Sequence, residues 1–166
     1  MRRLVWLVLF LISSPAGAIT LTDKFHSYIS KGNSYFEEGS HQKALEMYQK
    51  ARSVDSTRAT AYFNEGDALY RLGRFKDCVK AFSRSARALP ETTSAWSYYN
   101  LGNSMFRLGD LRGACEAYKK ALFIDPNDQD AKYNLELVMK MLEEKQQQSS
   151  QNKQKEKQTD IRIWTV

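Results

Sequence analysis

Three kinds of residue in this 166-residue chain could carry chemistry: two cysteines, two histidines, and a recurring series of aromatic rings and amides. Cys78 and Cys115 are the candidate nucleophiles, but a reactive thiol needs a neighbouring base or a lowered pKa. His26 and His41 are the only histidines, and their spacing to the cysteines is not that of a metal-binding set. No glycine-rich phosphate loop occurs. The acidic pairs Glu37-Glu38 and Glu143-Glu144 read as solvated helix faces. No catalytic residue, metal or cofactor is therefore expected, and a small thiol-dependent enzyme stands only as the distant alternative. The net charge of +6 has no cluster outside the C-terminal tail, so no nucleic-acid partner is expected, and nothing suggests a small-molecule substrate. The rings and amides remain, and they suit protein recognition.

These residues recur because the elements that carry them recur. Counting from Gly102, offsets of +4, +7, +12, +16 and +19 give Phe106, Gly109, Ala114, Tyr118 and Ala121. The same offsets from Gly66 give Tyr70, Gly73, Cys78, Phe82 and Ser85, and from Gly32 they give Phe36, Gly39, Ala44, Tyr48 and Ala51. Gly66 follows Gly32 by 34 residues and Gly102 follows Gly66 by 36, which places two extra residues in a loop after Pro90. Each unit reads as two helices. Gly32, Gly66 and Gly102, with Ala44, Cys78 and Ala114 opposite, allow the helices to touch. Tyr48, Phe82 and Tyr118 fill the space beside that contact. Gly39, Gly73 and Gly109 end the first helix in the left-handed conformation. Pro90 and Pro126 stop the second helix, and Ser56 takes that place in the first unit. The units span residues 25–58, 59–92 and 95–128, with residues 19–24 as a lead-in. Asp128 is placed to cap a further helix over residues 129–147, whose Leu135, Val138, Met139 and Leu142 would cover the open end of the third unit. Helix pairs that cannot bury their apolar faces alone are stabilised by stacking.

The pattern Tyr98-x2-Leu101-Gly102-x2-Met105, Gly109, Ala114-x3-Tyr118-x2-Ala121, Pro126 resembles the tetratricopeptide repeat, whose period is near 34 residues. The resemblance implies an all-α fold, a right-handed superhelical array of three helix pairs plus the capping helix. It also implies a concave groove lined by the first helices. The family's groove positions fall on Ile29, Phe63, Tyr99 and Tyr133, on Asn64 and Asn100, and on Asn33, Asp67, Asn103 and Leu137. Rings would supply apolar area to a partner peptide or helix, and amides would bond its backbone. Members that grip a C-terminal carboxylate carry cations at three positions occupied here by Ile29, Trp96 and Asn100, so that use is not expected.

Residues 125–142, with the run Asn134-Leu-Glu-Leu137 and a glutamine-rich sequel, resemble the tetratricopeptide proteins of bacterial aerotolerance (Bat) operons. That likeness implies an exported envelope scaffold accompanying membrane proteins with von Willebrand A domains; an assembly or secretion cofactor of another envelope machine is the alternative. The N-terminus agrees. Arg2 and Arg3, the apolar run Leu4–Ile12 and the small residues Ala16-Gly17-Ala18 have the form of a signal peptide over residues 1–18, and retention as a membrane anchor is the other reading. Cleavage would leave a net charge of +4 and send the chain to a bacterial periplasm or envelope. There a disulfide would be permitted, but Cys78 and Cys115 sit at near-equivalent positions of stacked units, too far apart to bridge, and are expected as two small buried residues. Residues 148–166 are expected as a disordered polar tail, because Lys145–Gln158 has no apolar residue. The apolar end Ile161–Val166 is either a docking peptide or a frayed terminus.

Overall fold

A computed structural model describes residues 20–88 and 91–164. Among these residues it contains seven helices and no strand: α1 (Leu21–Glu37), α2 (His41–Val54), α3 (Ala59–Arg71), α4 (Phe75–Ser85), α5 (Glu91–Arg107), α6 (Leu111–Ile124) and α7 (Gln129–Trp164). Each helix packs on the next, giving the pairs α1/α2, α3/α4 and α5/α6 with α7 against α6. The segment read as an export signal, and Pro90, lie outside the described residues.

Within each pair the close contact is a ring lying on a glycine. A Cβ added at Gly66 would sit 2.6 Å from Phe82 Cε1, and one at Gly102 would sit 2.5 Å from Tyr118 Cε1; Gly32 and Tyr48 make the same contact. The expectation that Ala44, Cys78 and Ala114 face these glycines is thus corrected: the aromatic ring does, and the small residues are buried beside it in the core. Gly39, Gly73 and Gly109 have φ of 76°, 72° and 77°, as expected for left-handed turn residues.

The departures from the repeat pattern have physical causes. Ser85 stands where the other pairs have alanine; it is fully buried, donates to the Ala59 carbonyl at 3.2 Å and accepts from the Ser97 hydroxyl at 2.8 Å. Glu65 replaces the Leu101-type residue and is held by Arg52 at 2.9 Å, whose guanidinium also approaches the Tyr62 ring. At the equivalent position Lys31 is exposed, because no described helix pair precedes α1 to cover it. His41 stacks on Phe36 at 5.0 Å, the place that Phe75 takes on Tyr70 at 5.2 Å.

Four boundaries differ from the sequence expectation. The lead-in is helical from Leu21, because Thr20 and Asp23 form a reciprocal capping box. The two extra residues coincide with a longer helix: α5 begins at Glu91 and runs 17 residues against 13 in α3. The stop after α2 is Asp55 and not Ser56, since the Asp55 carboxylate accepts from Thr57 N at 3.0 Å and pairs with Arg58; Asp125 accepts from Asn127 N in the same way after α6. Finally, α7 does not end near residue 147 but continues to Trp164, so residues 148–164 of the expected disordered tail are helical, and the last two lie outside the described residues. Asp128 caps it, accepting from Ala131 N at 2.9 Å. Its first half is nucleated by docking of Leu135, Val138 and Leu142 on α6. Extending a nucleated helix through Gln, Lys and Glu, with no Gly or Pro, costs little even without burial.

The ring-on-glycine contact predicts that Gly102→Leu lowers stability by about 1–3 kcal/mol or more through overpacking. The loss should spread to α7, which is supported only by its neighbours. Thermal melts followed by circular dichroism test this, and an unchanged Tm would contradict the contact's importance.

Candidate functional site

The first helices α1, α3, α5 and the start of α7 share a face on which the groove positions fall, and hydrogen bonds join these helices in register. Asn64 Nδ2 on α3 donates to Asn33 Oδ1 on α1 at 3.2 Å. Asn100 Nδ2 on α5 donates to Asp67 Oδ1 on α3 at 3.3 Å. Asn134 Nδ2 on α7 donates to Asn103 Oδ1 on α5 at 3.2 Å. Two of these three rungs receive a second donor from within their own pair: the Tyr48 hydroxyl reaches Asn33 at 2.9 Å and the Tyr118 hydroxyl reaches Asn103 at 2.7 Å. Burial pushes the Tyr48 hydroxyl up to about 12, with Asp67 and Glu37 adding to it, and burial pushes Tyr118 up as well, so both remain O–H donors.

The sequence-derived positions therefore divide. Asn33, Asn64, Asp67, Asn100 and Asn103 come together as the rungs, so each amide already spends one end on the fold instead of waiting whole for a peptide backbone. Ile29, Phe63 and Tyr99 are half-buried: Ile29 packs into the core, Phe63 meets Phe82 edge-on at 5.8 Å, and Tyr99 leans on Tyr118 at 6.0 Å. Trp96 and Tyr133 are the open rings, 64% and 67% exposed, and Leu137 is partly exposed. Reasoning from sequence left Tyr48, Tyr118 and Asn134 out of this face. Asn134 could have been found, since it stands in α7 at the register of Asn64 and Asn100. The two hydroxyls had been placed with the packing rings, and only their bonds show that their tips reach the groove.

Two small cavities open beside the rungs. One of about 150 Å³ is lined by Asn33, Phe36, Glu37, Tyr48, Asn64 and Asp67. The other, about 70 Å³, lies by Tyr70, Asn103, Tyr118 and Asn134. Larger depressions exist elsewhere, one of about 670 Å³ from Gly109 to Lys153 and one of about 690 Å³ beside Tyr98, Phe123 and Ile124, but neither is lined by the rung residues. Cys78 and Cys115 are free and buried, and burial pushes the Cys78 thiol up to about 11, which removes it from nucleophilic work near neutral pH. Among the described residues no group of three or more His, Cys, Asp or Glu is placed to hold a metal ion, and no helix is long and apolar enough to cross a membrane.

Asp67 is the exception within the face. Burial pushes its carboxyl up to about 6, against a smaller opposing pull from Arg71. The folded state thus holds a proton that the unfolded chain releases near the ordinary carboxylate value. The Asp67 contribution to stability should accordingly be fully present below about 4, fall as pH rises through about 6, and level off above. Asp67→Asn should remove that fall and raise stability at pH 7.5 by about 2 kcal/mol. Melting curves of both proteins at pH 4.5 and 7.5 check this; a variant less stable than the parent at pH 7.5 would contradict it.

Comparison with known proteins follows this geometry. A family model described as tetratricopeptide repeat matches residues 59–92 and 95–128, and another described as TPR repeat matches residues 32–73. Human zinc finger CCCH domain-containing protein 7B is 38% identical over 63 residues, which is 38% of this chain and 6% of that protein. TPR repeat-containing protein MJ1428 of Methanocaldococcus jannaschii is 30% identical over 73 residues, 42% of this chain and 13% of that one. The chain thus spans a small part of the length of these curated relatives. Among solved structures, the first TPR of Spaghetti (RPAP3) bound to HSP90 peptide SRMEEVD aligns with a TM-score of 0.69 at 24% identity, covering 76% of this chain and 98% of that one. With the ring-on-glycine pairs repeated three times and family models matching more than half its length, the chain belongs to the tetratricopeptide repeat family, whose members are generally non-catalytic protein-interaction modules.

Proposed function

We propose that the chain is an exported, non-catalytic scaffold of a bacterial cell envelope that binds an extended peptide segment of a partner protein along α1, α3, α5 and α7. The observation that carries this reading is the pair of open rings, Trp96 and Tyr133, standing on a face whose register is already fixed by the rungs. A preorganised surface loses little entropy on binding, and exposed aromatic rings are common anchors. The peptide bound to the first TPR of Spaghetti supports the use of this architecture for holding a peptide. That peptide is acidic, whereas Ile29, Trp96 and Asn100 put no cation at the carboxylate-gripping positions, so a partner of different chemistry is favoured here. The Asn134-Leu-Glu-Leu137 run and the glutamine-rich helix that follows support a place beside Bat-type membrane proteins with von Willebrand A domains.

Selection from a random-peptide phage library against the purified protein tests the groove. Trp96→Ala together with Tyr133→Ala should weaken a selected peptide by about 2 kcal/mol, near thirtyfold, without lowering Tm, since both rings are exposed. Phe123→Ala, at a still more open ring on the second helix of its pair, should change nothing. The same double variant should lose a von Willebrand A-domain membrane protein captured from envelope extract. Peptides that ignore Trp96 and Tyr133 but depend on Phe123 would defeat the groove reading.

The export reading makes a separate prediction. Expressed in a bacterium, the full chain should be recovered from the periplasmic or envelope fraction with Ile19 as its first residue by mass spectrometry. Recovery from the cytoplasm with residues 1–18 intact would reject it.

A further inference from the structure

The middle rung differs from its neighbours at both ends. Asn33 and Asn103 are neutral amides, and each accepts from a tyrosine hydroxyl and from an asparagine of the next pair. At their equivalent, Asp67 is a carboxylate, and the residue equivalent to Tyr48 and Tyr118 is Phe82, whose ring has no hydroxyl to give. One donor, Asn100, reaches Asp67, and no ion pair within 4.0 Å involves it among the described residues. A carboxylate has about four acceptor directions, so a half-buried one with a single long bond has capacity to accept from a ligand. The two substitutions act together: one adds negative charge to the face, and the other withdraws the group that would have donated to it.

The cavity beside Asp67 has matching chemistry. Glu37 joins Asp67 on its wall, with the Asn33 and Asn64 amides and the Phe36 and Tyr48 rings completing the lining. Carboxylates with aromatic faces attract ammonium and guanidinium groups. The protein already shows the preference from outside, since the Arg71 guanidinium stands 5.9 Å from the centre of the Phe36 ring. Arg71 is exposed, one turn along α3 from Asp67, and its pull does not offset the burial that holds the Asp67 carboxyl near 6.

Building on the peptide-binding reading, we propose that this cavity receives a lysine or arginine side chain of the bound peptide, so that a basic residue at one position sets the specificity of the groove. A bound cation supplies Asp67 with the donor that Phe82 lacks, and it requires the carboxylate to be ionised. Binding should therefore weaken as pH falls below about 6. The groups that face Asp67 are Glu37 of α1, which lines the same cavity, Tyr48 of α2 and Cys78 of α4, whose ionisation Asp67 opposes, Arg71 of α3, whose charge favours the ionised carboxyl, and Asn100 of α5, which donates to it. Burial raises the Tyr48 hydroxyl to about 12 and the Cys78 thiol to about 11, well above this range, while it brings the Asp67 carboxyl into it, so the dependence is assigned to Asp67.

The probe is the random-peptide phage library, selected in parallel against the full chain and against Asp67→Asn. Peptides chosen by the parent should share a Lys or Arg at one position, and those chosen by the variant should not. For one synthetic peptide free of histidine, replacing its basic residue by alanine should weaken binding about tenfold to a hundredfold, Asp67→Asn should do the same, and the two losses should not add. Between pH 7.5 and 5 the parent should lose about tenfold and the variant should stay level. Selected peptides that need Trp96 and Tyr133 yet share no basic residue, or that bind Asp67→Asn equally well, would overturn this inference and leave the groove standing. A library that yields no peptide dependent on Trp96 and Tyr133 would remove both.

Discussion

An aromatic ring resting on the bare backbone of a glycine is the contact on which the remainder of this molecule depends. Tyr48 on Gly32, Phe82 on Gly66 and Tyr118 on Gly102 close three helix pairs with the same geometry. Because the ring approaches where a side chain would stand, the two helices of a pair meet at a fixed distance and rotation. That rotation decides which residues face the core and which face the next pair. The buried clusters around Leu45, Leu69 and Phe82, around Phe25 and Ala51, and around Tyr118 and Val138 follow from it. Stacking is then a matter of repetition, with each pair covering the apolar side of the one before.

The same ring serves the outer face through its tip. Where it is tyrosine, the hydroxyl passes beyond the glycine and bonds the asparagine one residue later, and that asparagine accepts a second bond from the next pair. Packing within a pair and register between pairs are thereby linked through one side chain. In the middle pair the ring is Phe82, the link is missing, and a carboxylate stands where the amide should be. The cost falls on Asp67, which burial strips of water without returning a full set of donors. A stability cost retained on a face otherwise built for recognition has the form of a binding determinant.

Helix α7 ends the array by a different balance. Up to Leu142 it is an ordinary covering helix, docked through one apolar stripe. From Glu143 to Lys155 it is exposed and polar, and helix propagation carries it on. Through Lys155 the extension adds no core, so the packed array and this polar stretch are energetically separable. The open rings Trp96 and Tyr133 and the cavity at Asp67 lie on the packed part, where their positions are held.

The amino-acid order by itself determined the architecture. A period near 34 residues, with glycine, aromatic and small residues at constant offsets, has one physical solution, three stacked helix pairs with a covering helix, because those residue types at those spacings let helices touch closely only in that way. The left-handed glycines and the Asp128 cap were legible for the same reason, being local. The capping box at Thr20 was equally local and legible, and was overlooked. What only the tertiary structure decided were relations between distant positions. Glu65 meets Arg52 from another helix, Ser85 finds Ala59 and Ser97 across a buried junction, and Asn134 reaches Asn103 over 31 residues. The groove residues could be named from the pattern, but not which of them would be spent on one another. Asn33, Asn64 and Asn103 look alike in sequence to a free binding amide, and Asp67 looks like any surface carboxylate. Hydrogen bonding and burial are sums over all neighbours in space, so it took the packed helices to make Asp67 the underserved member of the set.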